Sequence, residues 1–269
     1  MSISSMRDRT TAAALPDLAR IPAGDFLMGS SEMADERPVH RVHLSEFFIS
    51  RFEVSHDEYA RFVRATDYRS PSIRDVPIVA AHEAPMFRNL AMPYEWRRGE
   101  PPAGRGSHPV VLIGYDDAAA YCRWLSAELK RTFRLPTEAE WERAARGGID
   151  GKRYPWGDEI DSTCANYLGD PASKPQRGTR PAGTYAPNGF GLCDMAGNVW
   201  EWVSDWYSDD YYASSEASDP RGPDSGAMRV VRGGSWVNAD VRALRCACRH
   251  PVPPDTYAYS IGFRVVCEA

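Results

Sequence analysis

The chain has 269 residues, of which 43% are apolar, and a formal net charge of −5. This is enough for one large domain or two small ones, and it excludes the clustered basic surface that binding to nucleic acid needs. No apolar run approaches the roughly 18 residues of a membrane span, and six cysteines without a Cys-x-x-Cys pair do not make a disulfide scaffold. The N-terminal stretch lacks a continuous apolar core of the secretory type, so a cytoplasmic protein with reduced, mostly buried thiols is expected.

Residues 1–17 read as a flexible tail. "LARIPAGDFLMGS" then gives a short strand, a Pro-Ala-Gly turn and a second strand. "RPVHRVHLSEFFISRFEVS" alternates as a hairpin would, with Val42, Leu44, Phe47 and Ile49 as core residues. "SHDEYARFVRAT" predicts a helix, because Ser55 and Glu58 have capping-box spacing and Tyr59, Phe62 and Val63 form an apolar stripe. Residues 68–108 show no period and read as a long ordered loop. "HPVVLIGY" predicts a short buried strand.

"DDAAAYCRWLSAELK" predicts a second helix, acidic at its start and with Lys130 at its end, burying Ala120, Tyr121, Trp124 and Leu125. "LPTEAEWERAARGG" predicts a third, capped by Thr137 with Glu140 and stopped by Gly147. After Tyr154 short apolar runs alternate with Gly, Pro, Asn and Asp. Trp200 and Trp202 share one strand face, and "MRVVRGGSW" and "IGFRVVCEA" read as closing strands. No composition break or fixed-period repeat divides residues 18–269, so one α+β domain is expected.

In chain order, "IPAGDFLMGS", "FEVSHDEYARFV", "HPVVLIGYDDAAAYCRWLS", "RLPTEAEWERAARGG", "YPWGD", "NGFGLCDMAGNVWEWVSDWY", "RGGSW" and "GFR" together resemble the formylglycine-generating-enzyme, or sulfatase-modifying-factor, domain family. The resemblance spans about residues 18–266. It implies a C-type-lectin-like fold with few helices, short strands and long ordered loops. It does not imply one function, since the family contains copper-dependent oxidases, iron-dependent sulfoxide synthases, siderophore-maturation proteins and non-catalytic binders.

By that resemblance, the oxidases carry two cysteines shortly after Gly-Gly-Ser, as soft thiolates for Cu(I). Here the corresponding segment is "GGSWVNADVRAL", with Asn238 and Val241 near those positions, so no redox cofactor is expected. Cys246 and Cys248 follow as Cys-Ala-Cys and read as structural thiols. The six histidines include no His-x-His or helical i, i+4 pair. A structural calcium is the metal the resemblance implies, held by Asp194, the carbonyls of Gly197 and Val199, and Glu201; such carboxylate and carbonyl oxygens suit a hard cation.

The segment from 237 to 260 lacks Lys, Glu, Gln, Met and Trp altogether. Codons ending in a pyrimidine encode none of these five. With the C-terminal position and the "RGGSW" and "IGFR" borders, this resembles the variable region of proteins diversified by a retroelement. The function expected on that ground is a ligand-binding variable protein whose gene is acted on by a reverse-transcriptase system, with a protein or surface glycan as ligand and no nucleic-acid binding. The contact residues would be Val237, Asn238, Ala239, Val241, Ala243, Cys248, His250, Pro251, Val252, Thr256, Tyr257, Ala258, Tyr259 and Ser260. The alternative is a formylglycine-generating-enzyme-like or non-haem-iron-type oxidoreductase or maturation factor.

Overall fold

In the computed structural model, the structure describes residues 13–74, 83–169 and 178–269. Most of the expected N-terminal tail, residues 1–12, lies outside that set. Asp17 does not dangle, since its carbonyl accepts from Arg51 N at 2.8 Å.

The described residues form ten strands and four α-helices joined by long irregular segments, as the α+β reading requires. Strands β1 (Leu18–Ile21), β4 (Phe47–Ser50), β10 (Val266–Glu268) and β5 (Phe133–Arg134) form an antiparallel sheet in the order β1-β4-β10-β5. β2 (Gly24–Met28) and β3 (His40–Leu44) form a two-stranded antiparallel sheet. A third sheet runs β8 (His250–Val252), β7 (Arg229–Arg232), β6 (Trp200–Trp206), β9 (Ile261–Gly262), with β6 and β9 parallel.

Two readings of the sequence are corrected by this pairing. β3 and β4 are not a hairpin. Each takes its partner from elsewhere in the chain, while Val42, Leu44, Phe47 and Ile49 are all buried as expected. "HPVVLIGY" is buried but is not a strand. Val110 N donates to Val54 O and Leu112 N to Ala258 O, and Leu112 turns through φ +60°, so no single neighbour pairs along it.

The helices form where their caps predict. α1 (His56–Thr66) starts on the Ser55–Glu58 capping box, and α3 (Tyr115–Leu129) ends on Lys130 in the left-handed region. α4 (Glu138–Arg146) carries the Thr137–Glu140 box and stops at Gly147. Each such cap contributes about 1 kcal/mol. A helix the sequence reading passed over, α2 (Ala84–Ala91), lies inside the segment taken as loop. Its Pro85 sits in the first turn, where a missing N–H costs nothing, and Phe87, Leu90 and Ala91 share one face.

α4 is buried over its whole length, although five of its nine residues are charged. Two of its carboxylates, Glu138 and Glu142, are met by arginines from the C-terminal third of the chain, while Glu140 pairs with Arg134 just before the helix. Arg232 donates to Glu138 at 3.0 Å and to Glu142 at 2.6 Å, and also to the carbonyls of Cys246 and Ala247. Arg249 grips Glu138 through two nitrogens at 2.7 and 2.9 Å, and Arg146 closes on Glu142 at 2.6 Å. Beside them, Arg264 and the Trp141 indole N–H share the Glu201 carboxylate, each at 2.7 Å.

A buried ion pair contributes little net stability, but breaking one strands a charge. Arg232→Met should therefore cost about 3–5 kcal/mol in urea denaturation, with a smaller loss when Glu142→Gln is added. A loss under 1 kcal/mol would show that the cluster does not hold the fold.

Asp205, also buried, accepts from Glu138 N at 2.8 Å. Burial first, then the nearby Glu138 charge, raises its carboxyl to about 7. Its folded value thus lies above the unfolded one, so the stability it contributes is fully present below about pH 4 and is lost as pH rises through 7. Asp205→Asn should match wild type in melting temperature near pH 4 and exceed it at pH 8. Parallel pH curves would count against this.

Candidate functional site

The segment after β7 is strapped to the turn before β6. Gly197 N donates to Gly233 O at 2.8 Å, and Trp236 N donates to Asn198 O at 2.9 Å. Gly233 must be glycine here: its φ is +93°, and a Cβ would lie 3.0 Å from the Trp141 ring. The strap delivers Trp236 to a cluster with Tyr94, Val111, Leu112 and Val199, and the half-buried Ile73, Phe87, Leu90, Val237 and Tyr259 pack over it. The Tyr259 ring lies 5.1 Å from Phe87 and 5.7 Å from Trp236. The Trp236 indole N–H is buried with no acceptor among the described residues. One half-open aromatic face thus combines α2, the segment near Ile73 and the C-terminal loops.

The positions expected to hold oxidase thiols serve the backbone instead. Asn238 Oδ1 accepts from Ser235 N at 2.8 Å and Ser235 Oγ at 2.9 Å, which closes the loop between them. Val241 opens a single 3₁₀ turn and its carbonyl accepts from the Tyr154 hydroxyl. Burial pushes the Cys246 thiol up to about 12 and the Cys248 thiol up to about 11, so both stay protonated at neutral pH. An amide, an isopropyl group and two protonated thiols do not fit Cu(I).

The calcium set does not fit either. Both Glu201 oxygens already accept from Arg264, and one also from Trp141, so the guanidinium stands where a cation would. Asp194 Oδ2 accepts from Gly183 N at 2.7 Å, and Asn198 donates to the buried Glu53 at 2.7 Å. Burial raises Asp194 to about 6 and also raises Glu53. Among the described residues no three His, Cys, Asp or Glu side chains group as a metal site.

The residues expected to vary do not share one surface. Val252 and Thr256 are buried, at 2% and 1% exposed. His250 stacks on Trp200 at 5.2 Å, and Ala243 packs near Tyr154 and Leu244. Cys248 is half-buried beside the core, and Pro251 pairs with Val230 across β7. Ala239 is exposed. Ala258 and Ser260 work through their carbonyls, accepting from Leu112 N and Trp200 N. Of the expected set, the fold gathers Val237 and Tyr259 at the aromatic face. Tyr257 lies under the guanidiniums of Arg69 and Arg74. Ile73, Phe87, Arg69 and Arg74 were missed, and the Pro85-Met-Phe-x-x-Leu-Ala spacing was the signal available for α2.

With this geometry in view, the class is that of a C-type-lectin-like α+β domain. The chain belongs to the family described as sulfatase-modifying factor enzyme 1-like, whose model matches residues 4–269. Relatives include a formylglycine-generating enzyme of Streptomyces coelicolor, 40% identical over 93% of this chain and 88% of that one. Another, from Thermomonospora curvata, is 37% identical over 93% of each chain. Among solved structures, PvdO from Pseudomonas aeruginosa superposes with TM-score 0.78 at 29% identity, covering 94% of this chain and 95% of that one. Treponema denticola variable protein 1 superposes with TM-score 0.74 at 25% identity and the same coverage.

These findings correct the expected function. The identities of 40% and 37% are to formylglycine-generating enzymes over nearly the whole chain, which overturns the reading as a retroelement-diversified variable protein and favours the enzyme-like alternative. In the structure Val252 and Thr256 lie in the core, and Asn238 accepts from the Ser235 backbone.

The thiol environments give a direct check. Iodoacetamide at pH 8 should alkylate the half-exposed Cys164 in the native protein, and Cys246 and Cys248 only after denaturation, as read by peptide mass spectrometry. Native labelling of Cys246 would contradict the burial described.

Proposed function

We propose that this chain is a formylglycine-generating-enzyme-like maturation factor that holds an extended peptide against the face formed by Phe87, Trp236, Val237 and Tyr259, and that it acts without a copper–thiolate centre. Formylglycine is an amino-acid residue, so relatives with that name act on peptide chains, and the similarity to them supports a peptide substrate here. The carrying observation is Tyr259 packed between Phe87 and Trp236 on a half-exposed face. An aromatic face of this kind receives an apolar side chain at low entropy cost.

The replacement of the thiolate pair separates this chain from the oxidases it resembles. Asn238 spends its carbonyl on Ser235, and Val241 has no donor to give a metal. Within this reading the residues of the face bind and orient the peptide; no electron transfer is assigned to them.

Selection of a displayed random peptide library on the full chain tests the proposal. Enriched peptides should lose about tenfold in affinity on Phe87→Ala and on Tyr259→Ala while the melting temperature stays within a few degrees. Peptides that ignore both substitutions would overturn the assigned face. Stoichiometric Cu(I) binding with oxygen consumption on a cysteine peptide would overturn the exclusion of the copper–thiolate step.

A further inference from the structure

Next to the aromatic face, the same loop presents a second aromatic ring in a different setting. The guanidinium carbon of Arg74 stands 4.4 Å from the Tyr257 ring centre and that of Arg69 stands 5.7 Å from it. Arg69 Nη2 also donates to the Tyr257 hydroxyl at 3.2 Å. Two like charges thus share one ring, and the ring's negative face attracts both.

The charge around them is unequal. Asp117 is 3% exposed and is paired with Arg69 at 2.6 Å. It also accepts from the Tyr68 hydroxyl at 2.9 Å and from Gly114 N at 3.0 Å, so its oxygens are occupied. Arg74 differs in being a half-exposed guanidinium oriented by the ring beneath it.

The position relative to the aromatic face matters. Ile73 packs into the Trp236 cluster, and Arg74 is the next residue. Tyr257 and Tyr259 flank Ala258, whose carbonyl is fixed by Leu112 N at 3.0 Å. At about 3.3 Å per residue, two residues span roughly 7 Å, the distance between alternate side chains of an extended peptide.

We propose that Arg74, with Arg69 and Tyr257, forms a recognition subsite for an acidic side chain, two residues away from an apolar side chain held by Tyr259 and Phe87. The inference rests on the peptide-binding reading and deepens it by naming the substrate class: an extended peptide with an apolar residue and Asp or Glu in alternate positions. An arginine fork suits a carboxylate, and a preorganised guanidinium loses little entropy on binding it.

The test uses the full chain and three fluorescein-labelled pentapeptides, Ala-Phe-Ala-Glu-Ala and its Gln and Lys counterparts, with binding read by anisotropy at low and high salt. Wild type should prefer the Glu peptide over the Gln peptide by about tenfold at low salt and by less at high salt. Arg74→Gln should bring the two peptides within about twofold at an unchanged melting temperature, and Arg74→Lys should keep part of the preference. If Glu and Gln peptides bind wild type equally while Phe87→Ala weakens both, this inference falls and the aromatic face stands. If Arg74→Gln leaves the preference intact, the assignment to Arg74 falls. If none of the three binds at millimolar concentration, the inference and the peptide reading fall together.

Discussion

The buried meeting of Arg232 with Glu138 and Glu142 is the constraint on which the rest of the molecule depends. It joins α4 from the middle of the chain to β7 near its end, with none of the three side chains more than 2% exposed. Arg249 and Arg146 complete the charge pattern, and Arg264 repeats the arrangement on Glu201 one layer away. Apolar packing alone would tolerate sliding between these elements. Forked hydrogen bonds of fixed geometry do not, so the strap from Gly233 to Trp236 leaves β7 in one direction only. The aromatic face is positioned by that direction.

The conversion of the expected metal positions into structural ones follows the same logic. Asn238, bonded to Ser235, and Val241 in its 3₁₀ turn shape the loop, and the loop presents Val237 and Trp236 to α2. Glu201, which the resemblance marks for calcium, lies under Arg264 and Trp141 and fixes the floor below β6. The residues at the oxidases' thiolate positions and at the calcium positions implied by the resemblance thus serve here as structural contacts beneath the aromatic surface.

Much of the fold was legible because local signals agreed with it. Ser55 with Glu58 and Thr137 with Glu140 announced two helices, and both form with those caps. Alternation along residues 42–49 identified the right inward residues but not the right partners. Period 2 tells which face is buried and says nothing about which strand lies beside it. α2 was illegible for a related reason: eight residues between irregular segments carry too little periodicity to stand out. The site was read least well. The absence of Lys, Glu, Gln, Met and Trp from 237–260 suggested variation, yet Thr256 and Val252 are core and Ser260 pairs through its backbone. Composition reports side-chain choice, and it does not see carbonyl partners or burial.

The order of strands in the first sheet has a further consequence, for the timing of assembly. β10 lies between β4 and β5, and β4 in turn is the neighbour of β1. A central strand of that sheet is therefore translated after every other strand in it. On the ribosome β1 and β4 can pair early, but β5 has no partner in the sheet until Val266–Glu268 has emerged. The edge that β4 turns toward β10 stays open during most of synthesis, and with it a template for pairing with another chain. Glu138 and Glu142 of α4 wait in the same way for Arg232 and Arg249. The nascent protein thus passes through a long interval as an unsatisfied half-structure and closes late, as one cooperative unit.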